Sequence, residues 1–307
     1  MYFAVPVRSK GDSKFWINRY GILLFKKFVI GKVSLLEVDT CDCSYFRKGK
    51  KVLNLNSNRR GNCGGCKYCI HNFPVYDERV LKDKETLIAR ENIARFLEHE
   101  VMAKNGWPDL ERLEQIAVVT GLFRSEDQTV RHLQNIRDIS RRYGFEGSIF
   151  FLGSEIVSER GFSRLAECQP FSFCYAVDCF EARPERLNVA KAKQSISQII
   201  EILEMSVSAG FETTFAYIAG LDSLNSLLSI GEKFSRVVNR FPIINIYQFQ
   251  HNEQKRIFSE RANKLTYYIE ARAGIERMFR GSGLCPHNWE NYRSLWYHYF
   301  ENSYIEE

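Results

Sequence analysis

The chain has 307 residues, of which 45% are hydrophobic and 26% are charged. This composition excludes global disorder, and no apolar run reaches the roughly 18 residues needed to span a membrane. The formal net charge of +6 fits an anionic substrate, a partner protein or an RNA and selects none of them. The first residues lack the pattern of a secretory signal, so we expect a cytoplasmic protein.

From residue 51 onward the sequence alternates between short apolar runs and amphipathic stretches. Six apolar runs predict strands at 52–56, 115–121, 148–153, 171–180, 211–220 and 242–249. The stretches between them carry apolar residues at helical spacing and predict helices. Strands alternating with helices of this length indicate βαβ units and a parallel sheet. We therefore predict an α/β fold, a partial (β/α)6 TIM-like barrel of parallel strands with N- and C-terminal appendages.

Three segments follow from this pattern. Residues 1–50 precede the repeat and are expected to form an N-terminal appendage. Residues 51–281 contain the six βα units and form the barrel core. Residues 282–307 are rich in aromatic side chains and are expected to cap the barrel.

The cysteines are the most informative part of the composition. Their number, nine, is odd and no export signal is visible, so metal or cofactor ligation is favoured over a disulfide framework. Cys63, Cys66 and Cys69 lie in the run N-C-G-G-C-K-Y-C, directly after the first predicted strand, where parallel barrels build their active sites. Three thiolates without an evident fourth ligand suit a [4Fe–4S] cluster with one open iron.

A zinc site is the alternative. Cys41 with Cys43 and Cys63 with Cys66 form two pairs, as in a zinc ribbon. The chain would then be a zinc-stabilised binding module for RNA or protein. A zinc ribbon does not explain the βα repeat, so the enzyme hypothesis is preferred.

The cysteine loop followed by six βα units resembles the radical S-adenosylmethionine (SAM) superfamily, in particular its biotin synthase and lipoyl synthase branch. Those enzymes carry C-x-x-x-C-x-x-C with an aromatic residue before the last cysteine. Here C-K-Y-C matches the second half, and the first gap is one residue shorter, giving an atypical C-x-x-C-x-x-C loop. Three further runs resemble strand-end segments of this branch: V-V-T-G-L-F-R-S-E-D at 118–127, C-F-E-A-R-P-E at 179–185 and F-A-Y-I-A-G-L-D at 215–222.

The resemblance implies a set of binding residues. Cys63, Cys66 and Cys69 would ligate the cluster. The positions implied for SAM are Thr120, Gly121 and Arg124 at its amino group, Glu181 at its ribose, and Tyr68 and Gly220 near its adenine. Lys191 could meet the SAM carboxylate or an acidic substrate, but a solvated helix face is the first expectation for this residue.

The resemblance also implies a reaction. SAM would be cleaved reductively to a 5′-deoxyadenosyl radical that abstracts hydrogen from a small-molecule or carrier-bound substrate, with ferredoxin or flavodoxin as reductant. Sulfur insertion is the first hypothesis. It would use an auxiliary cluster held by Cys41, Cys43 and Cys285. If no such cluster forms, these cysteines are ordinary thiols. A radical rearrangement, cyclisation or lyase reaction without a second cluster is the other possibility within this class.

Three residues are candidates for catalysis. Cys179 lies at the end of the fourth predicted strand and shares a side with Glu181, and Cys174 is expected on the opposite face. Gln248 follows the sixth strand. Cys285 lies in a Gly-rich turn that is expected to close over the barrel mouth. His132 is expected to be exposed on its helix.

Overall fold

The computed structural model describes residues 14–33, 44–58, 65–69, 87–249, 252–287, 299–300 and 303–304. Its strands, numbered in chain order, are β1 (Phe15–Ile17), β2 (Ile22–Phe25), β3 (Phe28–Lys32), β4 (Tyr45–Arg47), β5 (Val52–Leu55), β6 (Gln115–Val119), β7 (Ser148–Gly153), β8 (Phe171–Asp178), β9 (Glu212–Ala219), β10 (Ile243–Ile246), β11 (Tyr299–Phe300) and β12 (Ser303–Tyr304). Its α-helices are α1 (Arg90–Arg95), α2 (Glu126–Arg142), α3 (Glu159–Leu165), α4 (Arg183–Arg186), α5 (Val189–Ala192), α6 (Ile196–Ser208), α7 (Leu224–Ser235) and α8 (Leu265–Phe279). A π-helical stretch, Phe96–Ala103, continues α1.

The central sheet has the strand order β10-β9-β8-β7-β6-β5-β4. The pairs from β5 to β10 are all parallel, and each strand lies beside its predecessor in the chain. Such sequential order is that of a (β/α) barrel, and among the described residues β4 and β10 form the two edges. The predicted partial (β/α)6 barrel is confirmed. Strand β4, which pairs antiparallel with β5, was not predicted.

Serine side chains start the helices on the outer face of the sheet. Ser125, Ser158, Ser195 and Ser223 each accept a hydrogen bond from the backbone N–H three residues later, at 3.0–3.2 Å. An N-cap of this kind satisfies an N–H group that the helix leaves without a partner. Helices α2, α3 and α7 begin five to seven residues after the preceding strand ends, which places their first turns near the carboxyl edge of the sheet. Helix α6 begins 18 residues after β8, and α4 and α5 lie between them.

The two faces of the sheet bury different side chains. On the outer face, residues such as Val118, Phe173 and Tyr217 join the helices in one large apolar cluster. On the inner face, each parallel strand contributes one residue to a small buried layer: Val52, Ala117, Phe150, Cys174, Ala216 and Ile243. Because both faces are covered, the strands are apolar on both sides, as the sequence predicts.

Two smaller sheets flank the barrel in sequence. Strands β1, β2 and β3 form an antiparallel sheet, and β11 pairs with β12. The buried ring of Phe300 packs on Phe241, which precedes β10, with ring centroids 5.3 Å apart. The C-terminal strand pair thus contacts the barrel on the side where β10 begins.

Candidate active site at the cysteine loop

The described part of the cysteine loop, residues 65–69, forms a tight turn. The backbone N–H of Cys69 donates to the carbonyl of Cys66 at 2.8 Å, and Gly65 has a φ of +72°, a conformation that suits glycine. The side chain of Cys66 is buried and that of Cys69 is half-buried. Cys63 lies outside the described residues, as do Cys41 and Cys43, so two of the predicted cluster ligands are placed.

Two other segments hold this loop by hydrogen bonds. The N–H of Lys67 donates to the carbonyl of Arg186 at 2.8 Å, at the end of α4. The side-chain amide of Gln254 is fully buried and lies 2.9 Å from the carbonyl oxygen of Tyr68. The same Gln254 nitrogen lies 3.3 and 3.5 Å from the next carbonyls on either side. The loop is thereby fixed to segments that follow β8 and β10.

The Cys66 sulfur accepts hydrogen bonds. Asn188 donates to it from the backbone N–H at 3.4 Å and from the side-chain amide at 3.5 Å. The side-chain oxygen of Asn188 also caps α5 by accepting from the N–H of Lys191 at 2.9 Å. Around the sulfur, Cys66 packs with Cys179 and Tyr247 in a buried apolar cluster. N–H donors aimed at sulfur stabilise a thiolate and are typical of iron–sulfur ligands.

A buried ion pair lies beside the loop. The Lys191 ammonium is 2.5 Å from Asp178 Oδ2, and both side chains are largely buried. Burial opposes the charged form of Lys191, but Asp178 and then Cys66 outweigh it and raise the pKa of the ammonium. Burial, with the neighbouring Asp178 and Cys66, likewise raises the pKa of Tyr68 well above its usual value. The structure thus places Tyr68 and Lys191 together at Cys66, and Lys191 does not lie on a solvated helix face.

Glu181 has another role in the structure. Its carboxylate accepts from the Ser223 hydroxyl at 2.7 Å, from the Ser223 N–H at 3.1 Å and from the hydroxyl of Ser226. These bonds hold the pKa of Glu181 below its usual range despite the opposing effect of burial. Both oxygens are therefore engaged at the start of α7. The carboxylate that contacts Tyr68 is that of Asp178, three residues earlier.

Thr120 and Gly121 join the ends of two strands. The Thr120 hydroxyl donates to Asn56 Oδ1 at 2.8 Å and accepts from the Asn58 N–H at 2.6 Å. The Gly121 N–H donates to the Asn58 carbonyl at 3.0 Å. Both residues lie at the carboxyl edge of the sheet, as predicted, where they tie β6 to the segment that leads into the cysteine loop. The side chain of Arg124 is exposed.

The cysteines of the fourth parallel strand differ from the expectation. Cys174 packs in the inner layer of the sheet, and Cys179 packs against Cys66. The two therefore do not lie on opposite faces, because the strand is irregular between Ala176 and Asp178, where Asp178 has a φ of +64°. Burial, reinforced by Asp222 and Asp178, raises the pKa of Cys179 to about 12, so its thiol is neutral.

Gly220 lies where β9 ends and has a φ of +109°. A Cβ atom there would lie 2.9 Å from the Tyr268 hydroxyl and 3.2 Å from the Tyr247 Cβ, so the position is tightly enclosed. Gln248 is exposed, whereas its neighbours Tyr247 and Phe249 pack in the cluster that contains Cys66. The predicted adenine contact and the Gln248 candidate both stay predictions.

Cys285 is placed away from the cysteine loop. It is exposed, and His287 lines a cavity of about 470 Å³ together with residues that begin the strands, such as Gln115, Ser148 and Glu212. This cavity opens at the amino-terminal edge of the sheet, the edge opposite Cys66. The expectation that this turn closes over the barrel mouth at the cysteine loop is therefore wrong.

Three site residues were missed by sequence reasoning: Asn188, Gln254 and Asp178. Asn188 precedes a short helical run, a typical N-cap signal, but nothing in the sequence points from it to Cys66.

Among the described residues, no group of three or more cysteine, histidine or acidic side chains converges as a metal site. No helix in the described part of the chain is both long and apolar enough to cross a membrane.

Comparisons with known proteins give similarity in fold only. No protein-family model and no curated protein matches the sequence. Coproporphyrinogen III oxidase (HemN) from Escherichia coli, described as a radical SAM enzyme, is similar over 76% of this chain and 52% of its own, with 14% identity and a TM-score of 0.47. Streptococcus suis SuiB, solved with S-adenosylmethionine, is similar over 72% of this chain and 47% of its own, with 12% identity and a TM-score of 0.44. The chain spans about half the length of either protein.

Proposed function

We propose that the chain is a radical SAM enzyme in which Cys66 and Cys69, with Cys63, hold a [4Fe–4S] cluster. The observation that carries this proposal is Cys66 itself. Its sulfur is buried at the carboxyl edge of a parallel half-barrel and accepts two N–H groups from Asn188. A structural thiol in an apolar core needs no such donors.

The described residues fit such a cluster in their chemistry. Cys66 and Cys69 are soft thiolate donors on one turn, held by Gln254 and enclosed by apolar side chains. The buried Asp178–Lys191 ion pair lies beside these thiols. With SAM, a bound cluster supplies one-electron chemistry and a carbon-centred radical.

The protein residues orient the second cofactor and exclude water. We assign the Asp178–Lys191 pair to the polar end of SAM, since it is the charged group beside Cys66, and Tyr68 and Gly220 to the adenine side. The oxygens of Glu181 are engaged by Ser223 and Ser226. A ribose contact at Glu181 therefore requires that these bonds open.

Hydrogen abstraction from a substrate without a second cluster is the reaction that we favour. An auxiliary cluster for sulfur insertion was expected at Cys41, Cys43 and Cys285. Cys285 is exposed on the side of the barrel opposite the cysteine loop, which speaks against its sharing a reaction space with Cys66. Iron content separates the two reactions, since one cluster per chain supports abstraction alone and two support sulfur insertion.

Anaerobic reconstitution tests the proposal. We expect a brown protein whose electron paramagnetic resonance signal shifts when SAM is added, and which releases 5′-deoxyadenosine on reduction with dithionite, flavodoxin or ferredoxin. Cys66→Ser should lose iron and SAM cleavage while keeping the circular dichroism of the wild type, and Cys285→Ser should keep both. A colourless protein that binds zinc and unfolds with chelators would instead identify a zinc-stabilised binding module.

A further inference from the structure

The sheet β1–β3 carries most of the exposed large apolar side chains of the described residues. Along β3, Phe28, Val29 and Ile30 are 62%, 71% and 51% exposed. On the rest of the sheet, Phe15, Trp16 and Tyr20 are also exposed. Apolar side chains concentrated in this way mark interaction sites on proteins.

The sheet is a defined structural element. The indole N–H of Trp16 donates to the carbonyl of Lys26 at 2.8 Å across the turn between β2 and β3. At the other turn, Asn18 Oδ1 accepts from the N–H groups of Tyr20 and Ile22 at 2.9 and 3.0 Å. These side-chain bonds fix both turns and hence the register of the strands.

The register places exposed apolar side chains on both faces. Phe25 of β2 is paired with Phe15 of β1 and with Phe28 of β3, so these three side chains lie on one face of the sheet. Val29 and Trp16 lie on the other face, because successive side chains of a strand alternate in direction. A flat surface, such as a membrane, covers one face of a sheet. An added strand covers both faces at once, because its successive side chains point to opposite sides. In the described part of the chain β3 pairs with β2 alone, at one edge.

The charge of the sheet defines the partner further. Residues 14–33 contain five basic residues and no acidic one; the basic residues are Lys14, Arg19, Lys26, Lys27 and Lys32. Lys27 and Lys32 lie on either side of the exposed residues of β3. Two copies of this sheet would repel one another, whereas a segment with acidic residues at its ends would be attracted.

We propose that β3 binds an extended segment of a partner polypeptide, apolar in its centre and acidic at both ends, as an additional strand. Backbone hydrogen bonds along β3 supply affinity, and Lys27 and Lys32 select the acidic ends. This inference rests on the N-terminal sheet and is independent of the chemistry proposed at Cys66.

The test is fluorescence anisotropy with the full chain and a labelled peptide, Asp-Glu-Val-Phe-Val-Thr-Val-Glu-Asp. We expect saturable binding that weakens roughly tenfold or more in the double variant Lys27→Glu/Lys32→Glu, since the variant replaces two attractive charge pairs with repulsive ones. The matched control, Arg160→Glu/Lys233→Glu, reverses two exposed charges elsewhere and should bind like wild type. Circular dichroism confirms that both variants are folded.

A second peptide tests the mode of binding. Methylation of alternate central amide nitrogens keeps the side chains but removes backbone donors, and it should abolish binding. Equal binding of the methylated peptide, equal loss in both double variants, or no binding at about 1 mM peptide would overturn the proposal. So would binding of phosphatidylglycerol vesicles or a single-stranded RNA in place of the peptide, or a dimer that Lys27→Glu/Lys32→Glu abolishes.

Discussion

Gln254 offers the sharpest test of how the cysteine loop is held. Its fully buried amide nitrogen lies 2.9 Å from the Tyr68 carbonyl and at longer distances from those of Lys67 and Cys69. Gln254→Met keeps the volume of the side chain and removes the donor. The backbone carbonyl of Gln254, which accepts from the Tyr247 hydroxyl at 3.0 Å, stays in place.

The size of the effect follows from these contacts. The contact of Gln254 with the Tyr68 carbonyl has the ordinary length of a hydrogen bond, and the other two contacts are long. The variant Gln254→Met therefore loses one good hydrogen bond and leaves a buried carbonyl without this donor. Such a loss costs about 1–3 kcal/mol. Because this loss falls on the loop, it should raise the population of the open loop by about 5- to 140-fold, at 1.4 kcal/mol per tenfold change.

Alkylation of the iron-free, reduced protein measures this opening. Cys66 is buried, so its modification requires the loop to open, and peptide mass spectrometry resolves its rate. Exposed Cys285 serves as an internal reference in the same sample. We expect faster labelling of Cys66 in Gln254→Met and an unchanged rate in the matched surface variant Gln248→Met. An unchanged rate at Cys66 in Gln254→Met would refute the assigned role.

Three further predictions concern stability and can be checked by urea unfolding. Asp178→Asn leaves the ammonium of Lys191 buried without its partner and should cost about 3–5 kcal/mol, most of which Lys191→Met in the same chain should restore. Burial lowers the pKa of His132 to about 4. Since the unfolded state takes up this proton near pH 6.5 and the folded state does not until about pH 4, wild type should lose about 3 kcal/mol between these pH values, and His132→Gln should lose correspondingly less. In Gly220→Ala, the new Cβ would lie 2.9 Å from a tyrosine hydroxyl on a backbone with a φ of +109°. This variant should lower the free energy of unfolding more than Gly281→Ala, whose Cβ meets nothing within 4 Å.

The barrel was predictable because its pattern is repeated and local. Each strand is a short apolar run, and the helices between the strands carry apolar residues at helical spacing, so six units could be read from the sequence. Strand β4 was missed because three residues carry too little pattern. The hairpin of β2 and β3 was missed because the apolar run from Gly21 to Ile30 hides its turn at Lys26 and Lys27, where Lys26 adopts a φ of +53°.

The exposure of His132 was predicted wrongly for a physical reason. His132 shares a helix face with Thr129, Leu133 and Ile136, which all pack inward on α2. Its Nε2 lies 2.7 Å from the Ser57 hydroxyl oxygen, so the polar ring is partly satisfied inside the protein. Helical spacing alone would have placed it on the buried face.

The site was predictable only where its residues are adjacent in sequence. Cys66, Tyr68 and Cys69 come from one short run, which the sequence identifies directly. Asn188 and Gln254 reach that run from 122 and 186 residues away, and such contacts leave no local signal. Long-range hydrogen bonds of this kind form where the segments that follow different strands meet at the edge of the sheet. Their meeting is a property of the folded sheet and not of any one stretch of sequence.

The inner layer of six side chains, one from each parallel strand, divides the half-barrel into two compartments. Above it lie Cys66 and Cys179, and below it lies the cavity in which Arg240 stands over the ring of Phe150 at 5.4 Å. Buried apolar side chains offer no hydrogen-bond partners to water or ions, so this layer disfavours their passage between the strands. Among the described residues, this layer therefore lies between the cysteine loop and the lower cavity, so a small molecule held in that cavity is kept out of contact with Cys66.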